Sequence, residues 1–154
     1  MMGSIDDFWL RCRARLAPDD PGDRYRVRRI GNAQKLSESL LGLIISGEKT
    51  GLFSNPDEIL PRPTAAEYFV FTDFGGRPRC AVRLLEARLI RFADVGPGET
   101  ACESPAARDV TAWREIHGGY WRRMREAEGG SFSEDMLLLF QRFEVIYAEP
   151  PPAG

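Results

Sequence analysis

The sequence predicts a mixed α+β domain, and three observations carry that expectation. Apolar residues recur at helical spacing in three separate stretches, one near the start, one ending at Gly47 and one ending at Gly129-Gly130. Two stretches rich in aromatic and β-branched residues, Tyr68 to Thr72 and Arg79 to Leu85, flank the turn Asp73-Phe74-Gly75-Gly76 and read as a β-hairpin. Helices and strands do not alternate regularly, which argues against a doubly wound parallel sheet.

Taken in order, Ser4 precedes an acidic first turn, Asp6 and Asp7, and Ile5, Phe8, Trp9, Cys12 and Leu16 keep helical spacing until Pro18 ends the pattern. Pro18 to Arg24 is a loop by composition, and Tyr25 to Ile30 reads as a short strand or extended coil. Asn32 can cap a second helix whose apolar stripe is Leu36, Leu40, Leu43 and Ile44 and whose left-handed end is Gly47. A loop rich in Asn and Pro, Ser54 to Pro63, leads to the hairpin, whose second strand is open to extension as far as Phe92. Ala93 to Pro105 has no period and is long for a compact domain, a length that often accompanies function. Ser104-Pro105 is a helix start, and Val110, Trp113, His117, Tyr120, Trp121 and Met124 trace one face of that helix. A last strand spans Met136 to Tyr147. Residues 1–147 thus form one expected domain, and 148–154 a proline-rich tail, extended or disordered.

With 21 basic and 23 acidic residues and a net charge of −2, the whole molecule does not attract a polyanion, so any nucleic-acid site must be local. Arginines do cluster, at Arg11, Arg13, Arg15, Arg24, Arg26, Arg28 and Arg29 and again at Arg114, Arg122, Arg123 and Arg125. Folding can bring two such clusters onto one face, although solvated faces balanced by nearby acids are the commoner outcome. Cys12, Cys80 and Cys102 are widely spaced with a single His in the chain, which argues against structural zinc. No leader-like segment and no apolar run of about 18 residues is present, so a reduced, cytoplasmic protein is expected.

Gly47-Glu48-Lys49-Thr50 delivers a lysine just past a helix end, where it can serve as a point charge for phosphate or as a tunable base. The plainer reading is a solvated lysine favoured by the helix dipole, whose loss changes stability by about 0.3–1 kcal/mol. His117, the only His, sits on an apolar stripe, where a satisfied core histidine is commoner than a catalyst. Trp113, Tyr120 and Trp121 can stack bases but at helical spacing read first as core. Glu103 stands out only by its place in the long loop.

A resemblance changes these weights. Arg29-Ile30-Gly31-Asn32, the Leu-rich helix ending in Gly47-Glu48-Lys49-Thr50, the hairpin, Phe92-Ala93-Asp94-Val95, Trp113-Arg114-Glu115-Ile116-His117, and Phe132-Ser133-Glu134-Asp135-Met136 leading to Arg142-Phe143-Glu144-Val145-Ile146-Tyr147 occur in this order over nearly the whole chain. The set resembles ASCH domain proteins. That resemblance implies a PUA-like fold, a small β-barrel of about five or six strands surrounded by about three helices, with a cleft between them. It implies RNA binding, and activities described as ribonuclease or as amidohydrolase acting on acetylated cytidine. In the amidohydrolase branch a Lys, a Thr and a Glu act together. Lys49 and Glu103 match the Lys and the Glu, whereas Leu52 stands where the Thr is expected. Thr50 and Ser54 are the nearby hydroxyls that could substitute. Ser54 itself stands where short members carry an Arg, and Ser104-Pro105-Ala106 replaces a Gly-Glu-Gly stretch of longer members.

Three functions follow as expectations. An RNA-binding module asks least: Lys49 with Arg26, Arg28, Ser54 and Arg114 lining a basic cleft, and Tyr25 or Trp121 stacking a base. A ribonuclease would use Lys49 to stabilise charge while Glu103 or His117 moves a proton, or Glu103 helps place Mg2+. The amidohydrolase would keep Lys49 and Glu103, with Thr50 in reserve for the missing hydroxyl. The motif match alone implies that Lys49 and Glu103 face one cleft, touching directly or through one water.

Overall fold

The computed structural model describes residues 4–16 and 24–150. The loop expected at Pro18 to Arg24 falls, but for its last residue, outside the described residues, as does the end of the tail beyond Pro150. Helix α1, Ile5–Arg13, opens on a capping box in which the Asp7 N–H donates to Ser4 Oγ at 3.0 Å and the Ser4 N–H to Asp7 Oδ2 at 3.1 Å. Strand β1, Arg26–Arg29, resolves the choice between strand and coil.

Helix α2, Gln34–Ser46, is capped by Ala33 and not by Asn32, and no side chain closes that end. Its buried residues are Ser37, Leu41 and Ile44, so the inward stripe is rotated from the one expected, and Leu36 is exposed. Gly47 ends it in the left-handed region at φ +85°, where a Cβ would be strained, and its N–H donates to Ile44. The Glu48 and Lys49 N–H groups both return to the Leu43 carbonyl. This turn sets the chain down into β2, Gly51–Ser54.

Strands β3, Tyr68–Thr72, and β4, Pro78–Arg91, form the hairpin, and β5, Leu137–Ala148, follows the last helix. The sheet order is β1-β3-β4-β5-β2, with β1 parallel to β3 and the other pairs antiparallel. Bulges between Ala81 and Val82 and between Leu84 and Glu86 bend the long β4–β5 ribbon. The result is a curled five-stranded half-barrel, α+β in class. β1 and β2 remain its two edges.

β3 is buried along its whole length because both of its faces are covered. Tyr68 and Val70 meet α1 through Phe8, Trp9 and Cys12, while Phe69 and Phe71 meet Leu41 and Ile44 of α2. The long loop after β4 holds a 3-10 turn, Phe92–Asp94, and a short helix α3, Pro97–Thr100. Ser104-Pro105 starts a second 3-10 turn, Pro105–Ala107, instead of the long helix, which begins later. That helix, α4, Val110–Ala127, is capped by Asp109, whose Oδ2 accepts from the Ala112 N–H at 3.0 Å. α4 buries Trp113 and Trp121 against Phe92, Leu138 and Phe140, with Phe53 of β2 packed alongside.

Candidate functional site

Two backbone contacts bring the turn after α2 to the long loop. The Thr50 and Gly51 N–H groups both donate to the Cys102 carbonyl, at 2.8 and 3.1 Å. Lys49 and Glu103 therefore flank one joint, although they are 54 residues apart in sequence. Lys49 Nζ donates to Glu103 Oε1. Both are buried, at 8% and 2% exposure, so Lys49 is not the solvated helix-end lysine of the plainer reading.

Glu103 collects two further donors. His117 Nε2 lies 3.0 Å from its Oε2, and Trp113 Nε1 donates to the same oxygen at 3.1 Å. Burial acts to raise the Glu103 pKa, but the hydrogen bond from His117 and the charge of Lys49 outweigh it and hold the carboxyl below its ordinary value. Glu103 is thus an ionised carboxylate with both oxygens occupied. The His117 ring stacks on Trp113, centroids 4.7 Å apart and planes at 16°, with the edge of Phe53 at 6.0 Å. Its Nδ1 is buried with no partner among the described residues.

Arg108, which no motif singled out, closes the joint. Its Nε donates to the Glu103 carbonyl at 3.1 Å, and its Nη2 donates to the carbonyl of Glu48, the residue before Lys49. One guanidinium thereby holds the backbone at both charged residues. Trp113 lies in the core, as its helical spacing predicts, at 0% exposure. A buried indole N–H needs an acceptor, and that requirement was the signal that could have linked it to a nearby carboxylate.

The other candidates are scattered. Thr50 is half-buried and tied through its backbone, its carbonyl accepting from the Phe143 N–H at 3.0 Å. Leu52 packs in the core beside Phe143, with no hydroxyl to offer. Ser54 is 2% exposed and accepts from Gln141 Nε2 at 2.6 Å, so it faces a buried amide instead of a ligand. Tyr25 packs on Trp9 at 5.0 Å and bonds to Asp6; burial first, then Asp6, pushes its pKa up to about 12. Arg26 donates to the Pro61 carbonyl at 2.7 Å and pairs with Glu67. These two line an open cavity of about 840 Å³ with Tyr68 and Pro61, which shares no residue with the Lys49 cluster.

Arg28 lies mostly inside the fold, 3.7 Å from Glu58. Arg114 donates to the Ala93 carbonyl at 3.3 Å. Trp121, at 3% exposure, is core and presents no free face to a base. Tyr120, in contrast, is 42% exposed.

A divalent ion does not fit the cluster. Hard cations need free carboxylate oxygens, and those of Glu103 are taken by an ammonium, an indole and an imidazole. Among the described residues no group of three or more His, Cys, Asp or Glu side chains is close enough together to hold a metal.

The ASCH domain family model matches residues 27–147. The fold is similar to that of an ASCH domain from Lactobacillus crispatus JV V101, at TM-score 0.80 and 20% identity, covering 95% of this chain and 96% of that one. It is also similar to a protein from Enterococcus faecalis V583, at TM-score 0.74 and 21% identity, covering 97% of each. No curated protein matches the chain.

Proposed function

The chain belongs to the ASCH domain family, which is generally considered RNA-binding, and on that premise we propose that the cleft around Lys49 takes up one nucleotide of a single-stranded RNA. The triple engagement of Glu103 by Lys49, Trp113 and His117 supports this reading. A carboxylate with both oxygens occupied is a fixed counter-charge, not a free base. Its role is to hold the Lys49 ammonium in one place. An ammonium has three N–H donors, and Glu103 uses one, which leaves two for a phosphate or base carbonyl oxygen. Phe53 and His117, both half-buried and packed against the buried Trp113, offer an apolar contact beside it for an unstacked base.

Cleavage of the RNA is the finer form of this reading, and the geometry favours binding over it. Lys49 is suited to stabilise charge on a phosphorane. His117, however, turns Nε2 toward Glu103 and keeps Nδ1 buried, so neither nitrogen is free to move a substrate proton. Deacetylation of acetylated cytidine needs a nucleophile, and Leu52 supplies none; the hydroxyls of Thr50 and Ser54 are each two residues away in sequence.

Fluorescence anisotropy of a labelled single-stranded RNA at low salt tests the proposal. Lys49→Arg keeps the charge and is expected to retain binding. Lys49→Met combined with Glu103→Gln removes the pair without stranding a charge, and is expected to weaken binding by on the order of tenfold or more. The same proteins incubated with RNA and with acetylcytidine report any product. Unchanged affinity in the double variant, with an intact fold by circular dichroism, overturns the reading.

A further inference from the structure

Among the site candidates, Arg28 is a mostly buried cation whose guanidinium has no hydrogen bond to any described residue. On β1 it is in register with Phe71, a core residue, so its side chain points to the inner face of the sheet. Only 13% of that side chain is exposed. Arg79, by contrast, is hydrogen-bonded to Glu38 and the half-buried Arg26 to the Pro61 carbonyl, although each also has a buried nitrogen without a hydrogen-bond partner among the described residues. The Arg28 side chain makes no hydrogen bond to any described residue, and its Nη1 is buried without a partner. Its ion pair, Nη2 to Glu58 at 3.7 Å, is longer than a hydrogen bond.

A guanidinium carries five N–H donors, and leaving a buried charged group short of acceptors is costly. Burial works against the charge, and Glu58 and Tyr120 offset it only in part, so the pKa of Arg28 is lowered. The Glu58 side chain is 55% exposed and can swing into solvent when a better acceptor arrives. Phosphate is such an acceptor, because its oxygens match the guanidinium fork in bidentate fashion.

Position connects Arg28 to the Lys49 cluster. Tyr120 is within electrostatic reach of both Arg28 and Glu58. It stands three residues after His117 on α4, so the two share a helix face about one turn apart. α4 therefore leads from the group that touches Glu103 to the surroundings of Arg28.

We propose that Arg28 is the phosphate-binding group of this cleft, with Glu58 as its displaceable counter-ion, so that the ligand is a phosphorylated nucleotide and not a bare nucleoside. The assignment rests on the RNA reading of the Lys49 cluster. Binding of the four ribonucleosides and their 5′-monophosphates, measured by competition against a labelled single-stranded RNA, separates the two. At least one monophosphate is expected to compete on the order of tenfold better than its nucleoside. Arg28→Met, which keeps the apolar stem, is expected to bring the monophosphate down to the nucleoside, and Glu58→Gln to widen the gap. A ratio that neither substitution moves overturns the assignment. If Arg28→Met does not fold, Glu58→Gln decides alone, and no gain in its ratio overturns it. If RNA and nucleosides bind but phosphate adds nothing, only the Arg28 assignment falls. If neither RNA nor nucleoside binds, the RNA reading falls with it.

Discussion

Removing one partner of a buried ion pair strands the other charge, at a cost of about 3–5 kcal/mol. Lys49 and Glu103 are such a pair, so Lys49→Met is expected to destabilise far more than the loss of a surface lysine would, and Lys49→Met with Glu103→Gln less than Lys49→Met alone. The acid limb of stability carries the same signature. The folded pKa of Glu103 lies below its ordinary value. A depressed carboxyl contributes stability that is fully present above the unfolded pKa, about 4.3, and is lost as pH falls through the folded one. Urea midpoints for the wild type, Glu103→Gln and the two Lys49 variants, at pH 7 and in steps below pH 5, test both expectations. A Glu103→Gln curve parallel to that of the wild type contradicts them. At this scale the sequence disclosed Lys49 and Glu103 through their match to a family pattern. Nothing local disclosed Arg108, because its role is to donate to two carbonyls that only folding brings together.

Strand β2 and the long loop meet at Gly51 for a steric reason. A Cβ there would lie 2.8 Å from Cys102 Cβ and 2.8 Å from the Gln141 carbonyl oxygen. Gly51→Ala must push β2 away from β5 or from the loop, and with it the joint between Lys49 and Glu103. The expected loss is roughly 1–3 kcal/mol, with weaker RNA binding even where the protein stays folded, read by thermal melting and anisotropy. A variant as stable and as tight as the wild type shows that the joint tolerates the shift. The elements themselves were legible where a local rule specifies them: the Ser4 capping box, the left-handed Gly47, the hairpin, and the last strand to within a residue. Asn32 misled because a capping residue type does not determine which residue occupies the cap. The stretch Ala93 to Pro105 lacked a period because short turns and the four-residue α3 are too brief to show one.

The molecule carries a net charge of −2, so its RNA affinity should come from the few cations held in the cleft instead of a broad basic surface. For a single strand, log K falls with log salt at about −0.7 per phosphate neutralised, so engagement by Lys49 and Arg28 predicts a shallow slope of roughly −1 to −2. Anisotropy titrations across salt concentrations check this, and a slope steeper than about −4 would assign binding to the surface arginines. The sequence by itself determined the three longer helices, the hairpin, the last strand, the α+β class and the family, since periodicity, turn chemistry and motif order are all carried by neighbours in the chain, whereas the short β2 and α3 went unread. The tertiary structure alone decided that Lys49 is buried, that Glu103 has three donors, and that Arg28 lacks a full set of acceptors. Each of those depends on the order β1-β3-β4-β5-β2 and on where α4 crosses the curled sheet. Burial and pairing are properties of groups distant in sequence, and no local pattern encodes which of them will meet.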